Sequence, residues 1–347
     1  MELKFAMKNG KIIHRRMSIN TMTEQIYKDI YRIIVPLKGN PLKYLNSYFI
    51  KSGGDQLVID LGFRTEDCFR ALTEGLNELG CDREKLKVAI THLHSDHSGN
   101  VNELTERFNN PVYMGRLDVE NSVGSDDRPG KNQRLLKEGF LPLWIEQQKI
   151  GNPSVMAWIR DPYKVNWVPM DTGDKIKVGE YELSWITTPG HTPGNAMLYE
   201  ANHKIMFTGD NVLFDITPNI TAWPGMPDAL GSYLESLALA KKYDVKYAFP
   251  GHREFKGDDY YLRIDRLIQH HEKRLAEALS IIKRNPGSNA VEICSQMTWK
   301  IRCNGWDDFP VTQRFFAVGE TLSHLDYLLA RGEIIREEDP NGIRVYY

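Results

Sequence analysis

The chain reads as an α/β fold that passes into a helical end piece, and three observations predict this. Up to about residue 250, apolar stretches of strand length alternate with stretches of helical spacing. Four short segments rich in His, Asp and Gly each directly follow one of the predicted strands. Beyond residue 260 the pattern changes to helices and finishes in a short hairpin.

The elements follow in order. Residues 30–37 and 48–50 read as strands, Ser52-Gly53-Gly54-Asp55 as a turn, and residues 56–60 as the second strand of that hairpin. Residues 66–79 place Phe69, Leu72, Leu76 and Leu79 on one helical stripe. Residues 87–90 form a short buried strand that delivers the first His segment, and residues 100–108 read as a helix. Strands resume at 175–178, 181–187, 196–200 and 204–208, then come a helix at 230–242 and a last buried strand at 247–249. Loops held by a rigid scaffold are where catalytic groups collect, so these segments are expected to converge at one edge.

Residues 117–167 have no strand period and carry Phe140, Leu143, Trp144, Met156, Trp158 and Trp167, among other apolar residues. They read as a helical insertion over the site. Core or dimer packing is the expected use of this apolar material, with a substrate lid as the alternative. Near the end, helices at 260–284, 290–297 and 312–330 precede a hairpin of 332–336 and 342–347, which suggests a winged-helix-like module. The chain thus divides into residues 1–262 and residues 263–347. The second part holds 12 Lys or Arg against 12 Asp or Glu, and the helix at 312–330 has Arg314 as its one Lys or Arg, against Glu320 and Asp326. A nucleic-acid reader would carry a basic recognition helix, so packing or homodimer formation is expected instead.

With 41% hydrophobic and 26% charged residues, the composition is that of a soluble globular chain. A net charge of −2 offers no electrostatic argument for nucleic acid or membrane as partner. The apolar runs are too short to span a bilayer. Residues 1–17 are basic but lack an apolar stretch after them, so a ragged start is expected rather than a secretory signal. Cys68, Cys81, Cys294 and Cys303 are scattered, with no CxxC pair, as in a reduced cytoplasmic protein.

The chemistry lies in Thr91-His92-Leu93-His94-Ser95-Asp96-His97, Pro189-Gly190-His191, Thr208-Gly209-Asp210 and Pro250-Gly251-His252. Together they offer five imidazoles and two carboxylates without a thiolate. This donor set is enough for two divalent ions, zinc first, with iron or manganese also suited. His92 and His94 stand at i and i+2, which shares a face in an extended stretch but not on a helix. Asp96 and His97 follow where the chain turns, so they can aim at a second point nearby. His191 sits in a turn whose backbone Pro and Gly restrict. Asp60, at its strand end, suits either an acceptor for the outer nitrogen of a ligand imidazole or a turn cap. His270 and His271 lie on a helix and read as surface or packing residues.

The order HxHxDH, His, Gly-Asp, Gly-His resembles the metallo-β-lactamase superfamily over about residues 25–255. That resemblance implies a four-layer αββα sandwich, two facing sheets with helices outside and metals in a groove at one edge. It also implies that His92, His94 and His191 hold one metal and that Asp96, His97 and His252 hold the second. Asp210 would bridge both, and Asp96 and Asp210 are the carboxylates expected to serve catalysis. Asp210 stands where true β-lactamases of the superfamily have Cys or Ser, as in the glyoxalase II and phosphodiesterase branches. Thr217-Pro218-Asn219-Ile220, the His270-His271 pair, Lys273-Arg274-Leu275 and the terminal helices are similar to a β-lactamase-like group with an appended winged-helix domain. The expected activity is hydrolysis of an ester-like bond in a small molecule, a thioester or lactone first, by hydroxide made at two metals. The alternatives are a phosphodiesterase or endoribonuclease acting on single-stranded RNA, and an iron-dependent oxidase or dioxygenase. The insertion and the 214–228 loop are the expected pocket walls.

Overall fold

A computed structural model describes residues 3–8, 11–16, 22–123, 137–140, 142–143, 145–146, 159–254, 259–301 and 303–347. After an antiparallel hairpin, β1 (Leu3–Lys8) and β2 (Lys11–Arg16), two sheets form the body. The first has seven strands in sequence order: β3 (Thr23–Tyr27), β4 (Ile30–Pro36), β5 (Tyr44–Ser52), β6 (Asp55–Ile59), β7 (Leu86–Ile90), β8 (Val112–Gly115) and β9 (Trp167–Met170). Pairing is antiparallel up to β6 and parallel from β6 to β9. The second has five, again in order: β10 (Lys175–Val178), β11 (Tyr181–Thr187), β12 (Ala196–Glu200), β13 (Ile205–Gly209) and β14 (Tyr247–Pro250). Only β13 and β14 pair in parallel there.

Parallel neighbours need a crossover, usually a helix. Helix α1 (Glu66–Glu78) supplies it between β6 and β7, started by the Thr65 side chain, which accepts from Cys68 N. The short helices α2 (Ser95–Ser98), α3 (Val101–Thr105) and α4 (Arg116–Val123) flank β8, and α5 (Ala229–Ala240) joins β13 to β14. Side chains alternate along each strand. On β5, Leu45 and Phe49 join Leu72 and Leu76 of α1 on the outer face. Tyr48 and Ile50 point the other way, to Leu183, Trp185, Leu198 and Phe207 of the second sheet. The far face of that sheet, with Met197 and Met206, packs on Leu230, Tyr233 and Leu237 of α5. The predicted αββα sandwich is the architecture found.

The rest is helix-rich. α6 (Tyr260–Arg284), α7 (Ala290–Gln296) and α8 (Val311–Ala330) accompany a small sheet of β15 (Ser288–Asn289), β16 (Arg336–Glu338) and β17 (Arg344–Tyr346), with β17 in the middle. They share their own apolar cluster, which includes Ile281, Ile293, Leu325 and Tyr346. α7 begins with a reciprocal cap, Asn289 to the Glu292 backbone and Glu292 to the Asn289 backbone.

Several expectations need correction. Residues 1–17 are not simply ragged, because they contain the β1–β2 hairpin. β3, β8 and β9 were not anticipated: β8 and β9 have four residues each, too few to show a period, and β3 is a polar edge strand. The helix expected at 100–108 shortens to α3. The insertion ends before Trp167, which belongs to β9. Leu141, Trp144, Met156 and Trp158 lie outside the described residues. Phe140 and Leu143 are buried with the C-terminal cluster, and Phe140 stacks on Phe315 at 4.8 Å, so this part of the insertion is core.

Phe207 sits between the sheets, its ring 5.2 Å from Tyr48 and 5.4 Å from Phe249. Phe207→Ala should cost about 3–5 kcal/mol in urea unfolding, the usual range for a buried ring. A change below about 1 kcal/mol, less than a volume-conserving core swap tolerates, would show that the sheets are not packed as described.

Candidate metal centre

Each predicted ligand segment leaves the end of a strand. After β7 the chain is not extended as expected but bends at Thr91, His92 and Leu93, and His94 then has φ −56° and ψ 144°. The His94 carbonyl then starts α2, accepting from His97 N (2.9 Å) and Ser98 N (3.0 Å), and the turn of helix presents Asp96 and His97. After β11, Gly190 has a φ of +134°, and a Cβ there would come within 2.4 Å of Tyr233 Cβ, so glycine is required beside His191. After β13 comes Asp210. After β14, Asn46 grips the turn, its amide donating to Pro250 O (3.0 Å) and Arg253 O (2.8 Å), while Tyr48 OH donates to Pro250 O (2.6 Å). A Cβ on Gly251 would stand 2.6 Å from Asp210 Oδ1 and 2.9 Å from His97 Cε1. The missing side chain is what lets His252 close on the other loops.

All seven predicted side chains meet. Ligand atoms lie within 4.8 Å of one another in three groups: His92, His94 and His191; His92, His97 and Asp210; and Asp96, His97 and His252. His94 Nδ1 is 3.0 Å from both His92 Nε2 and His191 Nε2. His252 Nε2 is 3.2 Å from His97 Nε2 and 3.2 Å from Asp96 Oδ2. Metal–nitrogen bonds of zinc imply tetrahedron edges of about 3.3 Å, close to these separations. Asp210 faces both sides, with Oδ2 3.7 Å from His191 Nε2 and 3.5 Å from His252 Nε2, and Oδ1 3.5 Å from His97 Nε2. Its Oδ1 is buried and, among the described residues, accepts no hydrogen bond, an arrangement that suits a cation. Nitrogen and oxygen donors without sulfur fit a borderline divalent ion, so the residues present match such a group.

The outer nitrogens are held as well. His191 Nδ1 donates to Asn219 O (2.9 Å) and His252 Nδ1 to Tyr44 O (2.9 Å). A carbonyl can only accept, so the proton sits on Nδ1 and the Nε2 lone pair faces the centre. His97 Nδ1 lies 2.8 Å from Asp60 Oδ2, and His92 Nδ1 3.1 Å from Thr91 Oγ1. Of the two uses the sequence allowed, Asp60 takes that of acceptor beside an imidazole, and its carboxylate also accepts from Thr91 N (2.8 Å) and Thr91 Oγ1 (2.9 Å) across the strand ends. The Trp223 ring stacks on His94 at 5.7 Å and its indole N–H donates to His191 O (2.9 Å).

Charge is sorted across the pocket. Burial keeps His92 well below the usual imidazole range and His94 down at about 3. Burial pushes the Asp96 carboxyl up, but His97 and His252 outweigh it and bring it to about 2. Asp210 is likewise held far below a normal carboxylate, mainly by His252 and His97 acting against burial. Burial disfavours charge on His97, yet Asp60, Asp210 and Asp96 together raise it well above normal. His252 is raised too, by Asp210 and Asp96 against burial. The carboxylates thus stay ionised, one imidazole group stays neutral, and a cation competes with protons for His97 and His252.

Sequence reasoning missed Asp118 of α4. Buried, it accepts from Leu93 N (2.8 Å), Thr192 Oγ1 (2.6 Å) and Gly194 N (2.6 Å), so it ties the His92–His94 loop to the His191 loop. It lies in a stretch without periodicity, and nothing local marks it. The Asn219 and Tyr44 carbonyls were equally invisible, because every residue has one. His270 and His271 stay out of the centre, and His271 is buried against Tyr233 and His324, as a packing residue.

Burial raises the Asp118 carboxyl from 3.8 to about 6 against its hydrogen bonds. The folded state therefore holds this proton to higher pH than the unfolded chain. The resulting stability is complete below about pH 4 and is lost as pH rises through about 6. The unfolding free energy of the parent minus that of Asp118→Asn, which cannot titrate, should fall by up to about 3 kcal/mol over that window. Urea unfolding at a series of pH values checks this, and a flat difference contradicts it.

A two-sheet sandwich with five imidazoles and two carboxylates at one edge defines a metal-binding α/β class. Residues 42–252 match the Metallo-beta-lactamase superfamily, and residues 306–347 match the Metallo-beta-lactamase-like, C-terminal domain. The chain belongs to the metallo-β-lactamase superfamily. It is 29% identical over 163 residues to an uncharacterized protein of Aquifex aeolicus, covering 46% of this chain and 61% of that one. It is 24% identical over 226 residues to the acyl-coenzyme A thioesterase MBLAC2 of Gallus gallus, covering 63% of this chain and 76% of the relative. Its fold is similar to a metallo-beta-lactamase family protein of Thermus thermophilus, with a TM-score of 0.76 at 24% identity over 93% of this chain and 99% of the other. Among the described residues no helix is long and apolar enough to cross a membrane, and all four cysteines are free.

Proposed function

We propose that the chain is a hydrolase that holds two divalent ions, zinc first, and cleaves an ester-like bond of a small molecule, with a thioester ahead of a lactone. In this reading His92, His94 and His191 would hold one ion, Asp96, His97 and His252 would hold the other, and Asp210 would serve both. The observation that carries it is Asp210, a buried carboxylate with imidazoles on both sides and one oxygen free of hydrogen bonds. Bound there, the ions would supply Lewis acidity and a water of lowered pKa. The chain's own part is to aim the rings. Asp60, Asn219 O and Tyr44 O fix His97, His191 and His252, while Trp223 walls the site beside His94.

A relative named as an acyl-coenzyme A thioesterase supports a thioester as substrate. The balanced charge of residues 263–347 favours a small molecule over RNA, whose binding depends on Lys and Arg. Residues 263–347 are taken as a separate winged-helix-like domain, set against the 213–223 loop. Four free thiols suit a cytoplasmic setting.

The test combines elemental analysis with a panel of an acyl-coenzyme A thioester, a lactone and a single-stranded RNA. Two zinc ions per chain and thioester turnover are expected. Asp210→Ala should lower the content of both ions and cut kcat/KM by more than about 100-fold, the most that loss of an outer partner alone usually costs. Two ions retained in the variant would remove Asp210 from the centre. RNA cleavage with an inert thioester would replace the reading with an endoribonuclease, and a single bound iron would point to oxygen chemistry.

A further inference from the structure

We propose that Glu320 of α8 is a positioning residue for His191, acting through Asn219. This rests on the reading of His191 as a metal ligand. The contacts form one chain. His191 Nδ1 donates to the Asn219 backbone carbonyl at 2.9 Å. The Asn219 side-chain amide donates to Glu320 Oε2 at 3.1 Å. Glu320 Oε1 lies 2.9 Å from Arg274 Nε of α6. Arg274 is fixed in turn, with Nη1 donating to Thr298 O at 3.0 Å and its guanidinium 4.0 Å over the Trp299 ring.

The segment from Val212 to Asp228 has no strand or helix of its own. α6 and α8 hold it instead. Arg263 donates to Leu213 O (2.5 Å) and Ile216 O (2.7 Å), Ser323 Oγ to Ile220 O (2.5 Å), and Ala222 N to Gly319 O (3.2 Å). A Cβ on Gly319 would meet Thr221 Oγ1 at 2.4 Å, so the loop lies directly on α8. The same loop carries Asn219 and Trp223, which contact His191 and His94. By contrast, the outer partners of His97 and His252 are Asp60, directly after β6, and Tyr44 of β5, both supplied by the first sheet and its strand ends.

Glu320 is 9% exposed and Arg274 6%. A buried ion pair is a weak source of stability, because desolvation offsets the attraction. What this pair does well is hold one amide in one place. The C-terminal helices therefore set the ring angle of one metal group and leave the other alone.

Zinc titration of single-site proteins tests the proposal. In a His252→Ala background the His92, His94 and His191 group is read; in a His94→Ala background the Asp96, His97 and His252 group is read. Asn219→Ala keeps the backbone carbonyl and the Arg274–Glu320 pair, so folding should be unaffected. It should weaken zinc about 10-fold in the first background, the lower end for loss of an outer partner, and less than about 2-fold in the second. Asn219→Asp sets two carboxylates together and should lose at least as much. Adding Glu320→Gln to Asn219→Asp exchanges donor and acceptor and should restore affinity to within about 3-fold of the parent, well inside the 10-fold loss. Equal loss in both backgrounds, no loss in the first, or no rescue by the exchange overturns the proposal. His191→Ala separates the two readings: if it leaves zinc affinity in the first background unchanged, the ligand assignment itself fails and the proposal falls with it.

Discussion

Two carboxylates and five imidazoles share one buried pocket, and that crowding is the constraint on which the rest of the structure depends. Buried polar groups are costly unless each has a partner. Here the outer nitrogens of four rings are met by Thr91, Asp60, Asn219 and Tyr44, and the inner lone pairs turn toward one another. Among the described residues, no donor makes a hydrogen bond to Asp210 Oδ1, and His97 Nε2 stands 3.5 Å from it. The cluster makes physical sense as a set of donors arranged for cations.

The sandwich exists to bring these donors to one edge. β7, β11, β13 and β14 come from two sheets, yet their ends open on the same side. Close approach is bought with glycine. A side chain at Gly251 would collide with Asp210 and His97, and one at Gly190 with Tyr233 of α5. Asp118 then pins two of the loops from beneath with three hydrogen bonds. The C-terminal helices add the remaining support by holding the loop that carries Asn219 and Trp223.

How far the sequence was legible follows from the range of each signal. The ligand residues stood out because three imidazoles and a carboxylate within six positions have no ordinary packing explanation. The run of strands and helices was legible through their patterning and α1 through its apolar stripe, while the sandwich itself followed only from the resemblance carried by the ligand order. Strands of four residues such as β8 and β9 left no period to detect, and β3 is too polar to stand out. The supports were illegible for a different reason. Asp118, Glu320 and Arg274 act on residues far away in sequence, and carbonyl acceptors have no residue type. Asp60 was narrowed to two uses, and the fold gave it the one beside an imidazole.

If the seven donors form one centre, two ions would share it with Asp210 between them. Anomalous diffraction at the zinc edge from crystals grown with zinc tests it most directly. Two peaks about 3.5–4 Å apart are expected. One should lie among His92, His94 and His191, the other among Asp96, His97 and His252, with Asp210 between them. A single peak, or two peaks that Asp210 does not contact, would contradict it.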